Sequence, residues 1–214
     1  MPHFRRQALE AALGWDPYNV TEDADLGIRL ARFGMRVGVL KSTTWEEGPP
    51  TLKIWLGQRT RWLKGWMQTY LVHMRQPWRL FKELGAWPFI GFQLMMSAMF
   101  ASALVHPWFY VLLADGAVSG NFWPRPEAGL ELAIWWIAVG NLALGYASAV
   151  LIGAIAVWKR RRAWLIPHLV LLPLYWLLIS FAAYRALAEI FVAPFHWEKT
   201  RHRARRHKRP AVVY

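Results

Sequence analysis

An α/β piece joined to a membrane-embedded helical region is the fold class this sequence predicts, and three observations predict it. Charged residues make up only 18% of the 214-residue chain and apolar residues 56%, leaner in charge than the usual quarter for a soluble protein. Three stretches, 86–114, 132–158 and 163–184, contain no Asp, Glu, Lys or Arg, and a bilayer core asks for about 20 mostly apolar residues per helix. The first fifty residues carry no such run and pair a helical stripe with a short β-like segment. Three long apolar runs leave too little polar sequence to cover them as core helices of a soluble protein. The 15 tryptophans fit the same reading, because indole rings favour the membrane–water boundary. The chain has no cysteine, which excludes disulfides, thiolate metal sites and thiol catalysis.

The elements follow in order. A helix is expected from Thr21, a good N-cap, with acids in the first turn facing the positive end of the helix dipole. Leu26, Leu30 and Phe33 form its apolar stripe, and Gly34 is its stop. Met35 to Leu40 reads as a short strand. Residues 1–50 are then an α/β layer too small to close a sheet and bury both faces unaided. The turn Glu46-Glu47-Gly48-Pro49-Pro50 leads to Thr51, which can cap a helix over LKIWLGQRTRWLKGWMQTYLVHM. That helix has a Trp/Leu stripe with Lys53, Arg61, Lys64 and Gln68 largely off it, the pattern of a basic amphipathic helix lying in a membrane surface. Residues 51–85 are assigned to this interface region, 86–193 to the membrane region and 194–214 to a basic tail.

Within the membrane region the spans are expected at about 86–114 and 132–158. A third segment, 163–193, holds Pro167 and Pro173, which interrupt its helical pattern. Lys159-Arg160-Arg161-Arg162 marks the cytoplasmic side by the positive-inside rule, and the Arg-poor loop 115–131 belongs outside. The N-terminal part is then cytoplasmic. The basic tail prefers the same side, which makes 163–193 bent or re-entrant; a single crossing with the tail outside is the alternative. Gly145, Ala149 and Gly153 present a small-residue face for close helix packing. Seven Lys/Arg between Lys199 and Arg209 beside a membrane suit anionic lipid better than nucleic acid.

The chemistry concentrates in YNVTEDADLG, residues 18–27. Asp23 and Asp25 resemble a metal-binding Asp-x-Asp, but neighbours at i and i+2 of a helix point about 200° apart. They cannot share one ion if the helix starts at Thr21, so no metal is assigned to them. One carboxylate could instead take the proton of an attacking hydroxyl, or the acids could simply decorate a helix start. QRTRW, residues 58–62, adds Gln58 and Arg61 on one helical face, donors suited to phosphate oxygens, and Trp62, a flat surface suited to a sugar ring. The same basic residues could anchor lipid headgroups, and geometry leaves both readings open.

GWDPYNVTEDADLGIRLARFG followed by QRTRW resembles the membrane-bound family 2 glycosyltransferases, the group of bacterial cellulose synthase and hyaluronan synthase. Thr21-Glu22-Asp23 is similar to their TED motif, and Gln58, Arg61 and Trp62 to their QxxRW motif. PLYWLLISFAAYRALAEI and PFHWEKTRH also resemble the C-terminal portion of a bacterial subgroup. The resemblance implies the C-terminal half of a GT-A-type domain, with Asp23 as catalytic base and Thr21 and Glu22 supporting it. It further implies that Gln58 and Arg61 contact the donor diphosphate and that Trp62 lines the acceptor site. The implied reaction moves a sugar, with inversion, from a nucleotide sugar (a UDP-sugar) to a saccharide or lipid acceptor in polysaccharide biosynthesis at the bacterial inner membrane. Such enzymes use Mg²⁺ or Mn²⁺ held by an Asp-x-Asp that has no counterpart here. The expectation is therefore a truncated or split enzyme, completed by a donor-binding half or a separate chain, that is inactive when purified alone. The alternative is a non-catalytic membrane protein.

Overall fold

A computed structural model of the chain describes residues 3–40, 46–120 and 128–194. The chain falls into two compact units, one of residues up to Phe100 together with those from Ala182 onward, the other Ala101–Phe181.

The first unit begins with the short helix α1 (Arg6–Ala11) and continues into α2 (Glu22–Arg32), whose first turn carries Glu22, Asp23 and Asp25. The α2 N-cap is Thr21, although its side chain makes no capping bond. The helix stops where glycine permits it. Gly34 takes φ +72°, its N–H donates to Ala31 O, and Met35 N–H donates to Leu30 O. These are the two bonds of a Schellman end. Met35 then folds back onto the cluster of Ala12, Leu26 and Leu30 with Ala8 and Leu9. Two members of the expected stripe, Leu26 and Leu30, are buried, while Phe33 is exposed.

The expected α/β class does not hold. Among the described residues there is no strand. Residues 35–40 run as irregular chain with Val37, Val39 and Leu40 exposed. The alternation there is real, but a strand exists only when its N–H and C=O groups meet a neighbouring strand, and no described segment offers one. All the regular elements among the described residues are helices, so the described part of residues 1–50 forms no α/β layer.

Helix α3 (Leu52–His73) is capped by Thr51 Oγ1, which accepts from Ile54 N–H at 3.3 Å. It buries Gly57, Thr60, Leu63, Lys64, Gly65, Met67, Thr69 and His73, positions that cover most of its circumference at 100° per residue. Helices α4 (Pro77–Leu84) and α5 (Ala86–Phe92) follow, with Pro77 at the first helical position and Gly85 at φ +79° between them. A π-helical turn at Gln93–Ser97 leads into α6 (Ala98–Ser119). Leu80, Phe92 and Met96 form a second cluster, packed by Trp66, Tyr70 and Phe89. Tyr70 stacks on Phe92 at 5.6 Å and donates its hydroxyl to Gln93 Oε1 at 2.8 Å.

In the second unit, α7 (Gly129–Lys159) packs against a 3₁₀ segment, Ala163–Leu171, that contains Pro167 and precedes α8 (Leu172–Val192). Gly153 lets Leu169 approach so closely that a Cβ there would lie 2.9 Å from its Cδ2, whereas Gly145 has no neighbour within 4 Å. Three stretches, Ala86–Ser119, Gly129–Lys159 and Ala163–Val192, are long and apolar enough to cross a membrane by length and composition. Residues 121–127 and those from 195 onward, where the connecting loop and basic tail are expected, lie outside the described residues.

Candidate active site

The site is built where the TED segment meets α3. Asn19 bridges the two: its Nδ2 donates to Thr69 Oγ1 at 2.9 Å, and its Oδ1 accepts from Thr21 N–H at 3.0 Å. Thr21 is buried, pressed on the backbone of α3 at Gly65. A Cβ at Gly65 would lie 2.4 Å from both Thr21 Oγ1 and Cγ2, so only glycine admits this approach. Four residues beyond Thr21, Asp25 Oδ1 lies 3.0 Å from His73 Nε2. Gly65, Thr69 and His73 are spaced by four and form one stripe. Counted at 100° per residue, Gln58, Arg61 and Trp62 fall on the same side of the helix. The TED segment is thus seated on the QRTRW face, starting one turn after Arg61.

Asp23 and Asp25 part company at this contact. Asp25 is buried and Asp23 exposed. Each oxygen of the Asp25 carboxylate has a partner: His73 on one, and Arg29 Nε donating to the other at 2.7 Å. Arg29 in turn donates to Ala12 O and to Gly14 O, tying the preceding loop to α2. The chain continues through His73, whose Nδ1 is 3.1 Å from Arg32 Nη1, and Arg32 Nε donates to Glu83 Oε2 at 2.6 Å. Arginine only donates, so His73 Nδ1 is the acceptor and its Nε2–H is given to Asp25. Burial works to raise the Asp25 carboxyl, but the His73 hydrogen bond and the Arg29 charge outweigh it and hold it below the usual carboxylate value. Arg32, then Arg79, likewise hold the Glu83 carboxyl low.

The other expected site residues are placed as follows. Glu22, Gln58 and Arg61 are half-buried and Trp62 is 37% exposed. The Oδ1 of Asp23 accepts from Ala24 N–H at 2.9 Å and the carboxylate faces solvent. Arg61 Nε is buried without a hydrogen-bond partner. The guanidinium of Arg59, two residues earlier, lies 4.6 Å from the Trp62 ring centre and 5.6 Å from that of Trp55. Lys64 and Gln68, which the sequence placed with the solvent- or lipid-facing positions, turn inward. Lys64 Nζ donates to Ala193 O at 2.6 Å and lies 3.6 Å from Glu189, and Gln68 Nε2 donates to Pro194 O at 2.7 Å. The residues missed by sequence reasoning are Asn19, Gly65, Thr69 and His73. The four-residue spacing of Gly65, Thr69 and His73 on α3 is visible in the sequence, but not that Asn19, 50 positions before Thr69, would lie on that stripe.

For a divalent metal the residues present do not fit. Both Asp25 oxygens already accept hydrogen bonds from His73 and Arg29, Asp23 is exposed while Asp25 is buried, and among the described residues no group of three or more His, Asp or Glu could hold an ion.

Comparison with known proteins bears on this geometry. A family model described as Glycosyl transferase family group 2 matches residues 3–197. The chain belongs to this family. The matched region of this group 2 glycosyltransferase chain takes in both α2 and α3. The chain is similar to the probable glycosyltransferase YdaM of Bacillus subtilis, 36% identical over 77 residues, which cover 36% of this chain and 18% of that protein. It is also similar to a beta-monoglucosyldiacylglycerol synthase of Synechocystis sp., 38% identical over 96 residues, covering 42% of this chain and 20% of the relative. The group 2 chain thus matches about a fifth of the length of these relatives. No solved structure matches it.

Proposed function

We propose that this chain supplies the acceptor-activating and leaving-group-gripping part of an inverting glycosyltransferase working at a membrane surface. The observation that carries the reading is the seating of Thr21 on Gly65, which sets the base-bearing helix one turn from Arg61 and Trp62. In this reading the Asp23 carboxylate takes the proton of the acceptor hydroxyl as the hydroxyl oxygen attacks the anomeric carbon of the nucleotide sugar. The bond from that carbon to the diphosphate oxygen breaks, configuration inverts, and the nucleoside diphosphate leaves against Arg61 and Gln58, whose donors suit phosphate oxygens. Trp62 carries the acceptor.

The acceptor is a saccharide or a lipid. A lipid is supported by the three apolar stretches able to cross a membrane and by the similarity to a glycolipid synthase. Residues beyond this chain hold the nucleoside and its metal, in a preceding segment or a separate protein. That assignment is supported by the pairing of Asp25 with His73 and Arg29 and by the fraction of the relatives' length that the chain matches. The cellulose- and hyaluronan-synthase likeness of the TED and QxxRW motifs and a bacterial inner-membrane location belong to the same proposal.

The test is Asp23→Asn in a transfer-competent membrane preparation, with sugar transfer from a radiolabelled UDP-sugar as readout. The substitution keeps size and removes basicity, so transfer falls by about 10²- to 10⁴-fold with the protein level unchanged. Retained transfer would favour the non-catalytic reading.

A further inference from the structure

QRTRW contains two arginines, and the reading above uses only one. Neither Arg59 nor Arg61 has a carboxylate partner among the described residues, and each has its Nε buried without a hydrogen-bond partner. Three acids of this unit are paired with other cations: Asp25 with Arg29 and His73, Glu83 with Arg32 and Arg79, Glu189 with Lys64 and Arg185. A half-buried guanidinium with an orphaned N–H carries a cost that an anion removes. Arg61 and Arg59 are two residues apart, so their Cα–Cβ directions leave α3 about 200° apart. They address different ligands or different parts of one ligand.

Arg59 is also held in place. Its guanidinium lies over Trp62 at 4.6 Å and within 5.6 Å of Trp55, a cation–π arrangement on residues spaced by four and three along one stripe of α3. This stack fixes the planar fork without occupying its N–H groups, since the ring faces accept charge but take no in-plane hydrogen bond. The neighbours identify the ligand's surroundings. Two indoles beside a cation suit the headgroup layer of a bilayer, where aromatic rings and arginine side chains both settle. The fork itself matches a phosphate.

We propose that Arg59, held by Trp55 and Trp62, is a second anion site on α3, distinct from the one at Arg61, and that it binds the phosphate of a membrane lipid next to the acceptor platform. The inference rests on the function proposed above only for the word acceptor; the binding of phosphate at Arg59 stands without any transfer activity.

Binding to the purified full chain in detergent, read by native mass spectrometry, tests it. The probes are dihexanoyl phosphatidic acid, its neutral counterpart dihexanoylglycerol, and inorganic pyrophosphate as a stand-in for a free diphosphate. The expected result is a preference of about tenfold or more for phosphatidic acid over dihexanoylglycerol, the size of one charge-assisted hydrogen-bonded contact. Arg59→Gln abolishes that preference, Arg59→Lys keeps part of it, and Lys53→Gln, which removes one positive charge from the same helix, leaves it intact. Pyrophosphate binding survives Arg59→Gln and is lost in Arg61→Gln. An undiminished preference in Arg59→Gln, or an equal loss in Lys53→Gln, would overturn the site. Loss of pyrophosphate binding in Arg59→Gln with no phosphatidic acid preference in the wild type would move the ligand to the free diphosphate and overturn the lipid assignment. Because no sugar transfer is read, failure of Asp23 as a base leaves this result unaffected.

Discussion

His73, the last residue of α3, donates its Nε2–H to Asp25 in the first turns of α2 across 3.0 Å, and both side chains are almost wholly buried. The contact locks the helix that bears the TED acids to the helix that bears QRTRW. The network it belongs to runs from Gly14 O through Arg29, Asp25, His73 and Arg32 to Glu83 on α4.

Removing Asp25 should therefore cost stability while removing Asp23 should not. Asp25→Ala leaves the His73 N–H and the Arg29 fork without their shared acceptor, and an orphaned buried donor costs about 1–3 kcal/mol. Thermal unfolding in detergent should show a clear fall in midpoint for Asp25→Ala and none for Asp23→Asn, whose side chain faces solvent.

The same carboxylate makes stability depend on acid. Its folded value lies below the ordinary 3.8 despite burial. A depressed carboxyl stabilises the fold fully above its unfolded value, and that stability is lost as pH falls through the folded one. Unfolding monitored from pH 6 downward should thus lose stability once the pH passes below 3.8. The Asp25→Asn variant, which has no group to protonate at this position, should show a shallower acid limb.

Gly65 gives a prediction with a diagnostic sign. In an exposed helix interior Gly→Ala gains about 1 kcal/mol. Here the added Cβ would fall 2.4 Å from Thr21, and such overpacking costs about 1–3 kcal/mol. Gly65→Ala should be destabilised in the same unfolding assay, and the double variant Gly65→Ala/Thr21→Gly should recover part of the loss. A single variant more stable than wild type would contradict the seating of Thr21 on α3.

Lys64 should act as a fastener for the end of α8. Its amine is buried against Ala193 O and Glu189. Lys64→Met keeps most of the volume and removes the donor, so hydrogen exchange across residues 189–194 should accelerate while exchange in α2 stays unchanged.

How much of this was legible beforehand depended on the range of the interaction. The start of α2 at the TED acids, the glycine stop at Gly34, the Thr51 cap and the three long apolar stretches are set by neighbours within a few residues, and the sequence shows them. Residues 35–40 were misread as a strand because alternation is a local pattern, whereas a strand depends on a distant partner. Lys64 was misplaced for a related reason: its charge argued for the surface, and only the return of residues 189–194 to α3 satisfies it inside. The pairing of Asp25 with His73 spans 48 positions and left no trace in spacing.

The central claim is that Asp23, the exposed acid of the pair, does the chemistry while Asp25, the buried one, positions it. Transfer from a UDP-sugar and the unfolding midpoint, measured side by side for Asp23→Asn and Asp25→Asn in the transfer-competent membrane preparation, test it most directly. The account predicts that Asp23→Asn loses about 10²-fold or more in transfer with an unchanged midpoint, and that Asp25→Asn lowers the midpoint and keeps measurable transfer at low temperature. Transfer retained by Asp23→Asn would contradict it.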